Sequence, residues 1–323
     1  MLTEVQQFYG LVKEFQRAGY YETEHLRRLF KEISSAIRMG KLIAVTGVVG
    51  CGKTVTLRRL QIALRQEGKI WVSQSLSVDK SRTTLPSLIA ALFYDLSSDK
   101  QVKIPSSGEK RERELRELFR KGKKPVALFI DEAHDLHYST LTGLKRLIEV
   151  VEDGGGTLSI VMGGHPKLKN DLRRPTMEEI GYRTAVFSLD SIGGCQGEYI
   201  QWLLGECVAE DTPLSELIVP EAVDELAQKL RTPLQIQQHL SLAFEQAYRL
   251  GEKPVTVAVV ESILSKQIDE LEPTLTRHGY NVKSLSEQFN AKPAEIRSLF
   301  RGQLEPSRAR ELQEQMLAAG LPL

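Results

Sequence analysis

GVVGCGKT (47–54) is the stretch whose reading decides the fold. It satisfies G-x-x-x-x-G-K-[ST] at every fixed position, with Gly47, Gly52, Lys53 and Thr54 in the required places. Glycines at 47, 50 and 52 allow a tight turn that aims successive backbone N–H groups at a single anion. A helix beginning where the loop ends adds its positive N-terminal pole. In such a loop Lys53 reaches the β- and γ-phosphates of a nucleoside triphosphate, and the Thr54 hydroxyl holds Mg2+. The candidate cofactor-binding segment therefore comprises Gly47, Val48, Val49, Gly50, Cys51, Gly52, Lys53, Thr54 and Val55.

The flanks agree with this reading. KLIAVTG (41–47) is a short apolar strand, and after the loop Leu57, Leu60 and Leu64 share one helical face that Gly68 terminates. Further strands are expected at KIWVSQSL (69–76), PVALFIDE (125–132), TLSIVMGG (157–164) and TAVFSLDSI (184–192), with a helix over 84–97. Apolar strands alternating with helices specify an α/β fold with a parallel sheet flanked by helices. Ahead of the sheet, Leu26, Leu29, Phe30, Ile33 and Ile37 recur at helical spacing until Gly40. Beyond about residue 193 the chain reads as helices broken near Pro213, Pro220, Pro233 and Pro254. Four segments follow: an N-terminal helical segment (1–40), a nucleotide-binding core (41–193), a helical lid (194–265) and a C-terminal helical unit (266–323).

VALFIDEAH (126–134) supplies the second half of a nucleotide site. Asp131, at the end of an apolar strand, is placed to hold Mg2+ with Thr54, and Glu132 to polarise a water for attack on the γ-phosphate. An ordinary acidic helix cap is the plain alternative. The strand 157–164 ends in GGHP, which makes His165 the candidate for sensing the γ-phosphate or orienting the water; a turn residue before Pro166 is the other reading. Arg183, just before the last strand, is the candidate for reaching a neighbouring subunit's γ-phosphate, with Arg173 and Arg174 as rivals and a solvated basic edge as the alternative.

These motifs in this order resemble the AAA+ ATPases. FIDEAHDL, the GGHPKLK stretch, EEIGYRTAVFSLDSI and AFEQAYRLGEKPVTVAVVESIL are most similar to the compact bacterial group of TnsC and TniB transposition regulators and ExeA-type ATPases, over roughly 20–265. The resemblance implies ATP and Mg2+ as cofactors, hydrolysis at subunit interfaces, assembly as a ring or helical filament on duplex DNA, and a transposase or target-selection adaptor as partner. One departure is visible. The group's lid commonly carries G-x-P-R, whereas this chain has RTPL (231–234), with Leu234 where the arginine stands. Two other readings stay open: a signalling or secretion-associated ATPase switch that binds a protein partner, and an IstB-like helicase-loader ATPase.

Duplex DNA is sought in local surfaces, because the formal net charge is only +1. HYSTLTGLKRL (137–147) offers Ser139, Thr140, Thr142, Lys145 and Arg146 for phosphates, and the basic runs 108–125 and 165–174 are further candidates, with ordinary solvated charged faces as the alternative. SLSEQFNAKPAEIRSLFRGQL (284–304) reads as helix, turn, helix, with Arg297 and Arg301 outward on the second helix, which enters the major groove in that motif. Docking of a protein partner and a purely structural bundle are the competing readings. Hydrophobic residues make up 41% of the chain, enough for a sizeable core. Three cysteines without metal-type spacing, together with no signal-peptide pattern and no membrane-length apolar run, make a cytoplasmic setting the expectation.

Overall fold

In the computed structural model, residues 1–75, 83–97, 103–190, 192–209, 212–264 and 271–323 are described. Five strands form one parallel sheet: β1 (Leu42–Thr46), β2 (Trp71–Gln74), β3 (Val126–Ile130), β4 (Leu158–Gly164) and β5 (Thr184–Ser188), in the order β2-β3-β4-β1-β5. Every residue of β1, β3 and β4 is buried, as the continuous apolar runs of central strands require. β5, at an edge, alternates between covered and open positions. Pairing of Thr46 with Gly164 and of Ile130 with Met162 lines up the carboxyl ends of β1, β4 and β3. Ligands of open parallel sheets bind at that end. The loop 47–54, the Asp131–Glu132 pair and His165 therefore emerge side by side.

The helices preceding β5 are α1 (Thr3–Tyr9), α2 (Glu24–Arg38), α3 (Lys53–Glu67), α4 (Leu85–Leu96), α5 (Gly108–Gly122), α6 (Tyr138–Asp153), α7 (Pro166–Leu172) and α8 (Glu178–Gly181). Those after it are α9 (Gln196–Cys207), α10 (Pro220–Lys229), α11 (Pro233–Leu250), α12 (Val257–Ile263), α13 (Leu271–Arg277), α14 (Val282–Gln288), α15 (Pro293–Phe300) and α16 (Pro306–Ala318). No helix among the described residues is long and apolar enough to cross a membrane.

Two compact units result. The sheet unit holds residues 27–48 and 53–189. Its core sets Leu128, Ile130, Ile160 and Met162 of the sheet against Leu88 and Leu92 of α4, Leu115 of α5 and Leu144 of α6. Where β4 passes beneath α3, Gly163 leaves no room for a side chain: a Cβ there would collide with Leu57 and approach Asp131 Oδ1 to 3.0 Å.

The helical unit holds residues 1–26, 49–52 and 190–323. Residues read from sequence as one segment, 1–40, thus divide near Leu26. Tyr9 and Phe15 sit edge-on to Phe244 of α11, and the Tyr9 hydroxyl donates to the Glu252 carbonyl at 2.7 Å. A second apolar centre gathers Leu275, Tyr280, Leu285, Ile296, Leu299, Leu312 and Met316 from α13 to α16. The expected boundary at 265/266 lies outside the described residues, as do Leu76 and Ser191 at the ends of two expected strands.

Candidate nucleotide site

The loop adopts the backbone its glycines permit. Gly50 and Gly52 take φ of +81° and +93°, left-handed values that side chains resist. The Gly47 N–H donates to the Gly164 carbonyl at 3.1 Å, pinning the start of the loop to β4. Lys53 opens α3 and is buried, its ammonium donating to the Val48 carbonyl at 3.1 Å. The Thr54 hydroxyl donates to Asp131 Oδ2 at 2.9 Å, and the Glu132 N–H donates to Asp131 Oδ1 at 2.9 Å. A hydroxyl and a carboxylate held together at the foot of a phosphate loop are the hard oxygen donors that Mg2+ prefers. The residues present therefore fit the ion. Cys51 is buried, whereas Val49 and Val55 expose their side chains, so their contribution to the cradle is backbone.

The tip, Val49–Gly52, belongs to the helical unit. There the Val49 N–H donates to the Arg277 carbonyl at 2.9 Å, and the Leu234 N–H donates to the Gly50 carbonyl at 3.3 Å. A Cβ on Gly50 would lie 2.6 Å from Leu234 Cβ and 2.9 Å from Thr232 Oγ1. Thr232 caps α11 in a reciprocal box with Gln235, which also binds the Arg231 N–H at 3.0 Å. Leu234 thus meets the loop through its backbone and an apolar side chain, where an arginine would bring charge.

Glu132, two residues past the end of β3, occupies a left-handed conformation, φ +53°. The short turn Ala133–Asp135 then folds His134 back over it. Glu132 Oε2 lies 3.3 Å from His134 Nδ1 and 3.8 Å from His165 Nε2. The two imidazoles stack with centroids 3.9 Å apart at 25°. His165 forms the N-cap of α7, with Pro166 as the first helical residue. Burial, followed by the charges of Lys167 and Lys53, lowers the His134 pKa to about 4 against the pull of Asp131, so its ring is neutral near pH 7. His134 had no role in the sequence reading. Its only signal was a histidine two residues beyond the candidate base.

Arg183 directly precedes β5, is more than half exposed, and pairs with Glu149 at 3.1 Å. Arg174 pairs with Asp171 at 2.9 Å, and Arg173 is exposed. One expectation for the DNA surface is overturned. Thr140 is 3% exposed and donates its hydroxyl to the Thr83 carbonyl at 3.0 Å. It falls in helical register with Leu144, Leu147 and Val151, all buried, and so faces the core. Thr142 turns its hydroxyl back to the Tyr138 carbonyl, 3.2 Å away. Lys145 is paired with both Glu149 and Glu179. Arg146 is exposed beside Glu112, and Arg297 and Arg301 are exposed on and just beyond α15.

Residues 37–172 match the family model described as AAA domain. The fold is that of a P-loop AAA+ ATPase. Three solved structures resemble nearly the whole chain. The ORC2 protein of Aeropyrum pernix, in ADPNP and ADP complexes, is 14% identical with a TM-score of 0.57, covering 97% of this chain and 91% of that one. Drosophila ORC bound to DNA is 14% identical with a TM-score of 0.54, covering 98% and 83%. Cdc6p from Pyrobaculum aerophilum is 14% identical with a TM-score of 0.53, covering 96% and 91%. No curated protein matches the sequence.

The protein is an ATPase with ATP and Mg2+ as its cofactors. When bound, Mg2+ neutralises charge on the β- and γ-phosphates. Loop N–H groups and Lys53 are the groups that would hold the triphosphate, Thr54 and Asp131 those that would hold Mg2+, and the Glu132 carboxylate follows Asp131 directly in the chain.

Proposed function

We propose that this AAA+ ATPase is a regulator of DNA transposition that assembles as a homo-oligomer on duplex DNA. ATP binding drives assembly, hydrolysis clears it, and the assembled form selects the target site or recruits and activates a transposase. Arg183 acts in trans at the neighbouring subunit's γ-phosphate, and His165 senses that phosphate. The observation that carries the reading is a helix-turn-helix, α14 and α15, whose second helix offers exposed Arg297 with Arg301 following, in the same unit as the tip of the phosphate loop. Glu295, awkward near phosphates, is neutralised by Arg308 at 3.2 Å. Burial pattern supports the same face: Ile296 and Leu299 point to the core and leave the arginines outward. The ORC structure similar to this chain contains DNA.

The test is ATP hydrolysis and particle size with and without duplex DNA at modest salt. DNA is expected to stimulate hydrolysis and to promote ATP-dependent assembly. The double variant Arg297→Ala/Arg301→Ala should weaken binding to all sequences alike and reduce the salt slope of affinity by about 2. If DNA does neither, the switch that binds a protein partner replaces this reading.

A further inference from the structure

We propose that Glu132, His134 and His165 form a transition-metal site, for an ion of the Zn2+ class, that withdraws the catalytic carboxylate and halts hydrolysis with ATP still bound.

The donor set comes first. Two imidazole nitrogens and one carboxylate oxygen, with a fourth position left open, suit Zn2+, Co2+ or Ni2+ rather than Mg2+. The three ligating atoms all lie within 4.8 Å of one another. A tetrahedral ion with bonds of 2.0–2.2 Å needs neighbouring ligand atoms roughly 3.3–3.5 Å apart. Glu132 Oε2 already stands 3.3 Å from His134 Nδ1 and 3.8 Å from His165 Nε2. The largest adjustment is in the rings. Stacked at 25°, they cannot both aim a lone pair at one point, so the His165 side chain must swing for the pair to fan open.

The supports are rigid. Glu132 and His134 leave the end of β3 on a fixed turn, and His165 is held between β4 and the proline that starts α7. Local charge is mixed: Lys53 and Lys167 act on His134 against a second cation, and Asp131 acts for it. The neighbouring Mg2+ position is chemically distinct, because Thr54 and Asp131 offer only oxygen. Two adjacent positions therefore sort ions by donor softness. An ion on Glu132 Oε2 removes the lone pair that would polarise water and leaves the loop 47–54 able to grip nucleotide. The inhibitory half rests on Glu132 as the base; the binding half does not.

The experiment titrates metal-stripped full-length protein with Co2+ in Mg2+ buffer and follows visible absorption. One equivalent is expected to develop the intense d–d bands of four-coordinate Co2+, and Zn2+ should displace it. His165→Gln and Glu132→Gln, both uncharged polar replacements at incompletely buried positions, should each weaken binding about tenfold or more and abolish the bands. In parallel, one equivalent of Zn2+ should stop ATP hydrolysis while a fluorescent ATP analogue still binds, and excess Mg2+ should not restore turnover. Absence of stoichiometric binding overturns the site, as does binding unchanged in both variants or a near-ultraviolet thiolate band. Recovery on adding Mg2+ overturns it too, because Zn2+ would then have replaced Mg2+ at Thr54 and Asp131. Binding without inhibition overturns the inhibitory half alone.

Discussion

At the scale of single residues, Asp131 and Glu132 are neighbouring carboxylates given different surroundings. Asp131 has one oxygen engaged by Thr54 and the other by the Glu132 N–H, which fixes the orientation of its carboxylate. Glu132, turned away by its left-handed backbone, faces the two histidines. Glu132→Gln keeps the shape and removes the carboxylate proposed as the base. Hydrolysis is expected to fall about 10²–10⁴-fold while affinity for an ATP analogue changes by no more than a few-fold; steady-state turnover and equilibrium binding separate the two. Much of this site was legible beforehand because its requirements are local. Eight contiguous residues specify the turn of the loop, and Asp131–Glu132 directly follow an apolar strand. His134 was not legible, since its role depends on a φ of +53° at Glu132 that no neighbouring glycine announces. Thr140 was misread for a different reason: its hydroxyl drew attention, although its spacing from Leu144 and Leu147 already put it on the buried face.

At the scale of elements, close approach of α11 to the loop tip depends on Gly50. Its Cβ-free backbone at φ +81° lets Leu234 and Thr232 sit against it. Gly50→Ala introduces left-handed strain of about 1–2 kcal/mol plus a clash. Nucleotide affinity is expected to drop by roughly tenfold or more. Adding Leu234→Gly, which removes the Cβ met at 2.6 Å, should recover part of that loss while the strain and the 2.9 Å approach to Thr232 Oγ1 remain; isothermal titration of both variants with an ATP analogue checks the order. Strand order belongs to this scale as well. The strand leading to His165 lies between those bearing the two motifs, in the order β3-β4-β1, so all three tips are adjacent at the carboxyl ends where ligands of parallel sheets bind. The docking of Tyr9 and Phe15 against α11 had no local signal. It joins residues more than 200 positions apart through apolar surface that any helix could have covered.

For the whole molecule, stability is distributed unevenly with respect to pH. Burial pushes the Tyr9 and Tyr199 hydroxyls up to about 12, with Glu252 adding to the effect on Tyr9, and pushes the Cys207 thiol up to about 11. All three belong to one apolar core in the helical unit. Between about pH 9 and pH 12 the unfolded chain releases protons that the folded chain retains. Stability contributed by these groups is therefore complete below pH 9 and declines as pH rises, by about 2–3 kcal/mol for each group once its folded value is passed. Thermal melts followed by circular dichroism across this range should show the loss. Tyr9→Phe, which cannot ionise but forfeits the bond to Glu252, should be less stable at neutral pH and lose less on going alkaline.

The bond from the Val49 N–H to the Arg277 carbonyl has an energetic meaning of its own. Arg277 closes α13, and the last carbonyls of a helix have no partner within it. The loop tip thus serves as part of that helix's C-terminal cap. A bond of this sort is worth about 0.5–1.5 kcal/mol net, a factor of roughly 2–10 in an equilibrium constant. If filling the loop breaks it, nucleotide affinity is lowered by that factor, and α13 is loosened by the same amount. Linkage makes the effect reciprocal: whatever frays α13 from the far side of its four-helix bundle returns the same free energy to the nucleotide.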